Sequence, residues 1–327
     1  MLFGGNRSRA AVKPTFRSDR SWWLPLGVVL ALVIFFSLTS STFATVRNFT
    51  IISAQASTLL IVCTGATFVV LMGSIDLSVG AIVLLVGAAC VKIENVTGWG
   101  SAIVLLGILL GALLGLFNGI VFAYGMVPSF VVTLGSLSIF SGLALQILQG
   151  RAITFNSAEL DVLAIGEWIP PLQNIALCGI TVWMAGVLIS RHTRFGRYMY
   201  LIGGGEAVAR NSGIPVGRYK IYAFTLSGLI AGFGGVLAVV RLGAAGPTLG
   251  QDLLLNSLAA IVVGGTSLSG GVGGPDRTLL GVLIITILDN GLNLLGVSSY
   301  PQLVIKGAVV IVAVLISQNR RRTLLVK

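Results

Sequence analysis

The stretch G-S-I-D-L-S-V-G at residues 73–80 decides how the chain must be read. Before it, residues 49–72 carry no charged side chain, and after it residues 81–91 carry none either. Asp76 therefore stands between two apolar runs. About 20 residues of helix cross a ~30 Å hydrocarbon core, so the first run is long enough to span a bilayer. The second run is about 11 residues, roughly 17 Å of helix, and is too short alone. It reaches span length only if the Gly/Ser-rich stretch also lies in the membrane. Non-helical backbone at that depth must be buried in protein or line a wet cavity.

Working outward, the same grammar covers all 327 residues. Apolar types make up 55% of the chain and charged types only 9%, where water-soluble domains carry about 25% charged residues. Ten spans are expected, at about 22–44, 49–72, 73–91, 101–124, 128–148, 172–190, 221–240, 253–263 with its flanking glycines, 279–295 and 302–316. The fold class is all-α, a polytopic membrane protein with two interrupted segments. The second of these is the short run 253–263, followed by G-G-T-S-L-S-G-G-V-G-G at 264–274. Paired interruptions in two halves of a membrane protein point to a transport path. Three parts are expected: a basic N-terminal segment 1–21, a membrane domain 22–318 holding a polar loop at 191–220, and a basic tail 319–327.

The net charge is +11, which raises the question of nucleic acid. The basic residues instead fall in three blocks separated by apolar spans. These are Arg7, Arg9, Lys13, Arg17 and Arg20 at the start, residues 191–220 in the middle, and Arg320, Arg321, Arg322 and Lys327 at the end. Cytoplasmic loops carry an excess of Lys and Arg. Ten spans with a cytoplasmic N-terminus put roughly 16 of the 21 Lys and Arg residues inside. Both termini are then cytoplasmic, the acidic loop 149–172 is outside, and no nucleic-acid partner is expected. Cys63, Cys90 and Cys178 sit in apolar runs at spacings that suit neither a metal site nor a disulfide framework. With a single histidine, His192, no catalytic or metal site is expected, nor any cofactor. The phosphate-cradling pattern G-x-x-x-x-G-K-[ST] is missing, so the chain is not itself an ATPase.

Several polar residues stand out within the spans. Asp76 has two readings: a cap on the third helix, accepting backbone N–H groups at its positive end, or a group near the path or a gate. Ser74 and Ser78 share its surroundings. Asp289, Asn290 and Asn293 lie in the ninth span, with 289 and 293 one helical turn apart on one face. Asn118 and Thr133 are polar positions in the fourth and fifth spans. These side chains either meet cargo hydroxyls or tie helices together. Gly107, Gly111, Gly115 and Gly119 recur every fourth position and mark close packing. In the middle loop, Gly203, Gly204 and Gly205 break the chain. A short helix over Glu206–Ser212, which holds Arg210, follows and is stopped by Gly213. That loop is either a basic surface on an anionic leaflet or a docking helix for a soluble partner.

Taken together, G-S-I-D-L-S-V-G-A (73–81), T-R-F-G-R followed by I-G-G-G-E-A-V-A-R-N-S-G-I (193–214), A-A-I-V-V-G-G-T-S-L-S-G-G-V-G (259–273) and N-G-L-N-L-L-G-V-S (290–298) resemble the permeases of ribose-type sugar ABC importers. The matches run in order along nearly the whole chain. The resemblance implies an inner-membrane permease that passes a monosaccharide by alternating access and pairs with a second permease subunit. It further implies a periplasmic sugar-binding protein and cytoplasmic ABC ATPase subunits as partners, with the 203–213 loop as the coupling helix. One departure is local: relatives carry E-L-D-A-I-A where this chain reads Q-D-L-L-L-N-S-L-A-A at 251–260, so Asp252 is out of place. From the residues alone the rival is an ion-coupled secondary sugar transporter, with Asp76 and Asp289 binding the ion.

Overall fold

The computed structural model describes residues 23–155 and 157–324. The expected basic segment 1–21, Trp22 and Lys327 lie outside these residues. For Arg320, Arg321 and Arg322 only helical backbone is described.

Helix α2 (Val46–Leu71) is the central pillar. It is apolar on every face, and its side chains from Ala56 to Leu71 are buried without a break. A helix hydrophobic all round must be covered on all sides. Helices α7 (Asn174–His192), α8 (Arg194–Gly204), α10 (Val216–Leu242), α11 (Gln251–Val263) and α12 (Pro275–Leu294) pack against it. The remaining described helices are α1 (Trp23–Thr39), α3 (Val79–Thr97), α4 (Ala102–Tyr124), α5 (Ser129–Leu148), α6 (Ala158–Ala164), α9 (Glu206–Asn211) and α13 (Ser299–Leu324). Of the described helices, seven are long and apolar enough to cross a membrane: α2, α3, α4, α5, α7, α10 and α12. Three shorter apolar stretches, in α1, α11 and α13, complete a set of ten that coincides with the ten expected spans.

Several boundaries differ from expectation, among them the end of the first span and both ends of the tenth, and two of the differences have a clear local cause. The third span is not a fragment of 11 residues. Helix α3 runs for 19 residues, because its backbone continues through Lys92 and Glu94 beyond the apolar run. Glu94 then accepts the Gly100 N–H and closes the turn into α4. The seventh span starts earlier than residue 221, since Pro215 caps a helix that begins at Val216 and carries Arg218 and Lys220.

The tightest joint lies between α4 and α10. Gly107, Gly111, Gly115 and Gly119 all face α10. A Cβ placed on Gly111 would collide with the carbonyl oxygen of Gly228, and one on Gly228 with that of Gly111. Small residues let membrane helices approach backbone to backbone. The opposite face of α4 presents Leu105, Leu109, Leu113 and Phe117 outward. A second glycine contact joins three segments: a Cβ on Gly203 of α8 would strike the Leu71 carbonyl at the end of α2 and the Gly271 N–H of the loop before α12. The Gly271 N–H itself donates to the Leu71 carbonyl at 2.8 Å. At the other end of the bundle, β1 (Ile153–Thr154) pairs antiparallel with β2 (Ala244–Ala245) and straps the long 149–172 loop to the end of α10.

Candidate functional site

Polar side chains collect in two places. The first surrounds Asp76. Its Oδ1 accepts the Ser78 N–H at 2.9 Å and the Ser78 hydroxyl at 2.7 Å, and Ser227 of α10 donates to Oδ2 at 3.3 Å. Asn118 of α4 donates to the Ser78 hydroxyl at 2.7 Å, and Ser136 of α5 donates to the Asn118 carbonyl oxygen. Thr133 donates to the Ile75 carbonyl at 3.3 Å, beside the Ile75 N–H that donates to Ser129. Ser74, Asp76, Ser78, Asn118, Thr133, Ser136 and Ser227 are all buried. The cluster therefore ties the turn before α3 to α4, α5 and α10. It corrects the reading of Asp76 as the helix cap. Ser78 holds the cap position, in helical backbone geometry and without a side-chain cap bond. Asp76 instead receives an N–H two residues further on, which is an Asx turn.

The second place is a cavity of about 600 Å³ walled by α2, α10, α11, α12 and α13, with Ala152, Ala244 and Gly246 from the strap at its rim. It lies towards the start of α2 and the end of α10. Helix α8 packs at the opposite end of α2, against Leu71. The cavity and the α8–α9 segment thus occupy opposite ends of the bundle.

Charges and amides make up much of the wall. Lys306 of α13 and Asp289 of α12 form an ion pair at 3.0 Å, with side chains 9% and 22% exposed. Asn256 of α11 donates to Asp289 at 3.4 Å. Gln302 of α13 donates to Asn293 at 2.8 Å and also to the Val297 carbonyl. Gln55, Asp252, Thr286 and Arg241 complete the polar surface. Asn290 turns away and exchanges two amide hydrogen bonds with Asn48 of α2 at 3.0 and 2.8 Å. This reciprocal pair fastens α12 to the start of α2.

The sequence-derived candidates are therefore divided. Asp289 and Asn293 line the cavity together, as their spacing requires. Ser74, Asp76, Ser78, Asn118 and Thr133 line none of it. Lys306, Arg241, Asn256 and Gln302 were missed. Lys306 alone carried a usable signal, as a single charge inside the last apolar run facing the single charge of Asp289 in the run before.

The α8–α9 segment has its own geometry. The Thr193 hydroxyl caps α8 by accepting the Gly196 N–H. Gly205 separates α8 from α9, and Gly213, at φ +81°, ends the second turn. Gly203 faces inward, whereas a Cβ on Gly204 or Gly213 would meet nothing. Glu206 takes ion pairs from Arg210 at 2.8 Å and Lys220 at 3.0 Å. Partial burial pushes its carboxyl upward, but these two cations outweigh it and leave it below the ordinary carboxylate range. Val208 and Leu201 stand exposed beside it. Among the described residues no group of three or more His, Cys, Asp or Glu side chains is placed to hold a metal ion.

The family model described as branched-chain amino acid transport system / permease component matches residues 48–314. The ribose import permease protein of Escherichia coli (strain K12) is 36% identical over 309 residues, covering 92% of this chain and 96% of that protein. That of Bacillus subtilis (strain 168) is 40% identical over 295 residues, covering 88% and 90%. The xylose transport system permease protein of Escherichia coli (strain K12) is 29% identical over 360 residues, covering 91% of each. No solved structure gives a significant match.

Proposed function

This chain belongs to the family of branched-chain amino acid transport system permease components, and on that premise we propose that it is the membrane-spanning subunit of an ATP-driven importer of a monosaccharide. The ribose and xylose permeases among its relatives support a pentose or similar sugar as cargo. The observation that carries the reading is the polar cavity at the end of the bundle opposite α8–α9. Its volume lies within the ~300–1,000 Å³ of small-molecule sites, and its amides and paired charges suit a ring of hydroxyls.

In this reading the cavity faces the periplasm, where a sugar-binding protein releases its cargo. The α8–α9 segment and both termini face the cytoplasm, and the chain sits in the inner membrane beside a second permease subunit. Gly203, Gly204, Gly205, Glu206, Arg210 and Gly213 form the joint that rests on a separate ATPase. The glycine contact of Gly203 with Leu71 and Gly271 supports this route, since it links that joint directly to α2 and to the loop before α12. The Asp76 network, with Ser74, Ser78, Asn118 and Thr133, holds the turn before α3 against which the cavity walls move. Alternating access then consists of ATP-driven closure at α8–α9 that opens Asp289 and Asn293 to the other side.

Uptake by reconstituted vesicles tests the proposal. Labelled ribose or xylose should enter only with ATP, an ATPase subunit and a loaded binding protein present. Uptake by the chain alone under a proton or sodium gradient would instead establish the ion-coupled rival.

A further inference from the structure

Five polar side chains on the cavity wall pair with one another. Asp289 has Lys306 and Asn256, and Asn293 has Gln302. Three buried polar atoms on the same wall have no hydrogen-bond partner: the Thr58 hydroxyl of α2, the Arg241 Nε of α10 and the Asp289 Oδ1. The last is ion-paired with Lys306, which leaves Thr58 and Arg241 as the orphans. Buried polar groups are nearly always paired, so each orphan calls for a partner.

Thr58 is the more telling because its neighbours show the alternative. Thr50, Thr64 and Thr67 lie on the same helix, and each returns its hydroxyl to the carbonyl four residues back. This is the ordinary resting place of a helical threonine hydroxyl. Thr58 is 5% exposed, yet its hydroxyl makes no such bond. Arg241 stands in the last turn of α10, where the negative end of the helix offsets its charge. None of the ion pairs among the described residues includes it. Its guanidinium is a planar fork of donors and can meet two neighbouring oxygens at once.

We propose that Thr58 and Arg241 are cargo-contacting residues, and that together they read a pair of adjacent hydroxyls on a neutral sugar ring. The guanidinium donates to the two oxygens, and the Thr58 hydroxyl accepts from or donates to one of them. The same cation excludes positively charged cargo. This rests on the importer reading above and names the chemistry of that same cavity.

The test uses the complete importer in proteoliposomes, with its binding protein saturated by D-ribose or by 2-deoxy-D-ribose, or by D-xylose and its singly deoxygenated analogue where xylose is the sugar carried. The quantity read is the ratio of maximal rates for sugar and deoxy sugar. The same binding protein serves every variant, so its own preference cancels when variants are compared. Arg241→Gln should lower the rate for the full sugar about tenfold and shrink the ratio towards one, as expected for loss of a hydrogen bond that only the full sugar can make. Thr58→Val should shift the ratio the same way by less. Arg241→Lys keeps the charge at the helix end and loses the fork. It should restore protein yield without restoring the ratio, and it carries the test if Arg241→Gln fails to accumulate. An unchanged ratio in Arg241→Lys and Thr58→Val would overturn the assignment while leaving the importer reading intact. Wild-type importer that takes up no sugar with ATP would overturn both.

Discussion

Asp76 and Asp289 each stand among membrane helices, in surroundings that differ in kind. Asp76 is met by hydroxyls and one backbone N–H, and the groups around it are themselves fully engaged. Asp289 is met by an amine and an amide at the edge of an open cavity. The first arrangement fixes four segments in one position. The second contains side chains that can exchange protein partners for cargo. A carboxylate in a membrane protein thus has at least two uses, as a dry rivet or as part of a wet wall, and the surrounding helices decide between them. The α4–α10 joint belongs with the rivet, since backbone pressed on backbone has no second arrangement close by. The loosely held α13, fastened to α12 through Lys306 and Gln302, belongs with the wall.

The largest effect should come from attacking the rigid side. In Gly111→Leu the new side chain meets the Gly228 carbonyl and the Gly232 backbone, which cannot rotate away. Overpacking typically costs about 1–3 kcal/mol where side chains can give, and more where backbone must. The variant should yield no monodisperse protein in detergent by size-exclusion chromatography. A normal elution profile would show that the joint is softer than its geometry. Asp76→Ala should come next. It strips the acceptor from the Ser78 N–H and from the Ser78 and Ser227 hydroxyls. With one to three buried donors left unpaired, the expected loss is about 3 kcal/mol in denaturant or thermal unfolding, with transport lowered accordingly. Asp76→Asn keeps one acceptor and should lose about half as much. Equal stability of all three proteins would remove Asp76 from the rivet.

The wall should answer differently. Asp289→Asn leaves Lys306 facing the cavity unpaired, and Lys306→Met leaves Asp289 so. The double variant removes the unpaired charge from both. A coupling of about 1 kcal/mol is expected in a double-mutant cycle on unfolding, since the cavity partly solvates either survivor. The transport rate should fall in all three, because the pair is part of the surface that meets the cargo. A coupling as large as the Asp76 effect would mean that the cavity is drier than its polar lining suggests.

Much of the fold was legible because hydropathy and length are enough to find membrane helices. The ten apolar segments and a break in the Gly203–Gly205 run are local features, written in consecutive residues, although the break falls at Gly205 alone and Gly203 and Gly204 still belong to α8. The extension of α3 through Lys92 and Glu94 was not legible, since a helix can continue past its apolar run wherever a cap is available. The site was only half legible. The 289/293 spacing forecasts a shared face, but nothing in the chain says that Asn290 turns to Asn48, 242 residues away in sequence. Ser136, Ser227, Thr58 and Arg241 gain meaning only from what lies opposite them. The cap was one of two readings of Asp76 because its Ser78 donors are near in sequence, while the Ser227 donor that makes it a tie is 151 residues distant.

The smallest effect should appear at Glu206, where the same chemistry as the Asp289–Lys306 pair is exposed to water. Its partners Arg210 and Lys220 hold its carboxyl below the ordinary range, so the folded state favours the ionised form. The stabilisation is complete above the ordinary carboxylate value and fades as pH falls through the lowered folded value. No change in unfolding midpoint is therefore expected between about pH 6 and 8, and a small loss should appear only on acidification below the normal carboxylate range. Glu206→Gln should flatten that acid limb and cost a few tenths of a kcal/mol at neutral pH, less still at high salt, because exposed pairs are screened. The Asp289–Lys306 coupling, shielded by helices, should keep its size over the same salt series. If both respond alike to salt, burial is not what separates the wall from the surface, and the contrast drawn here between the two ends of the bundle fails.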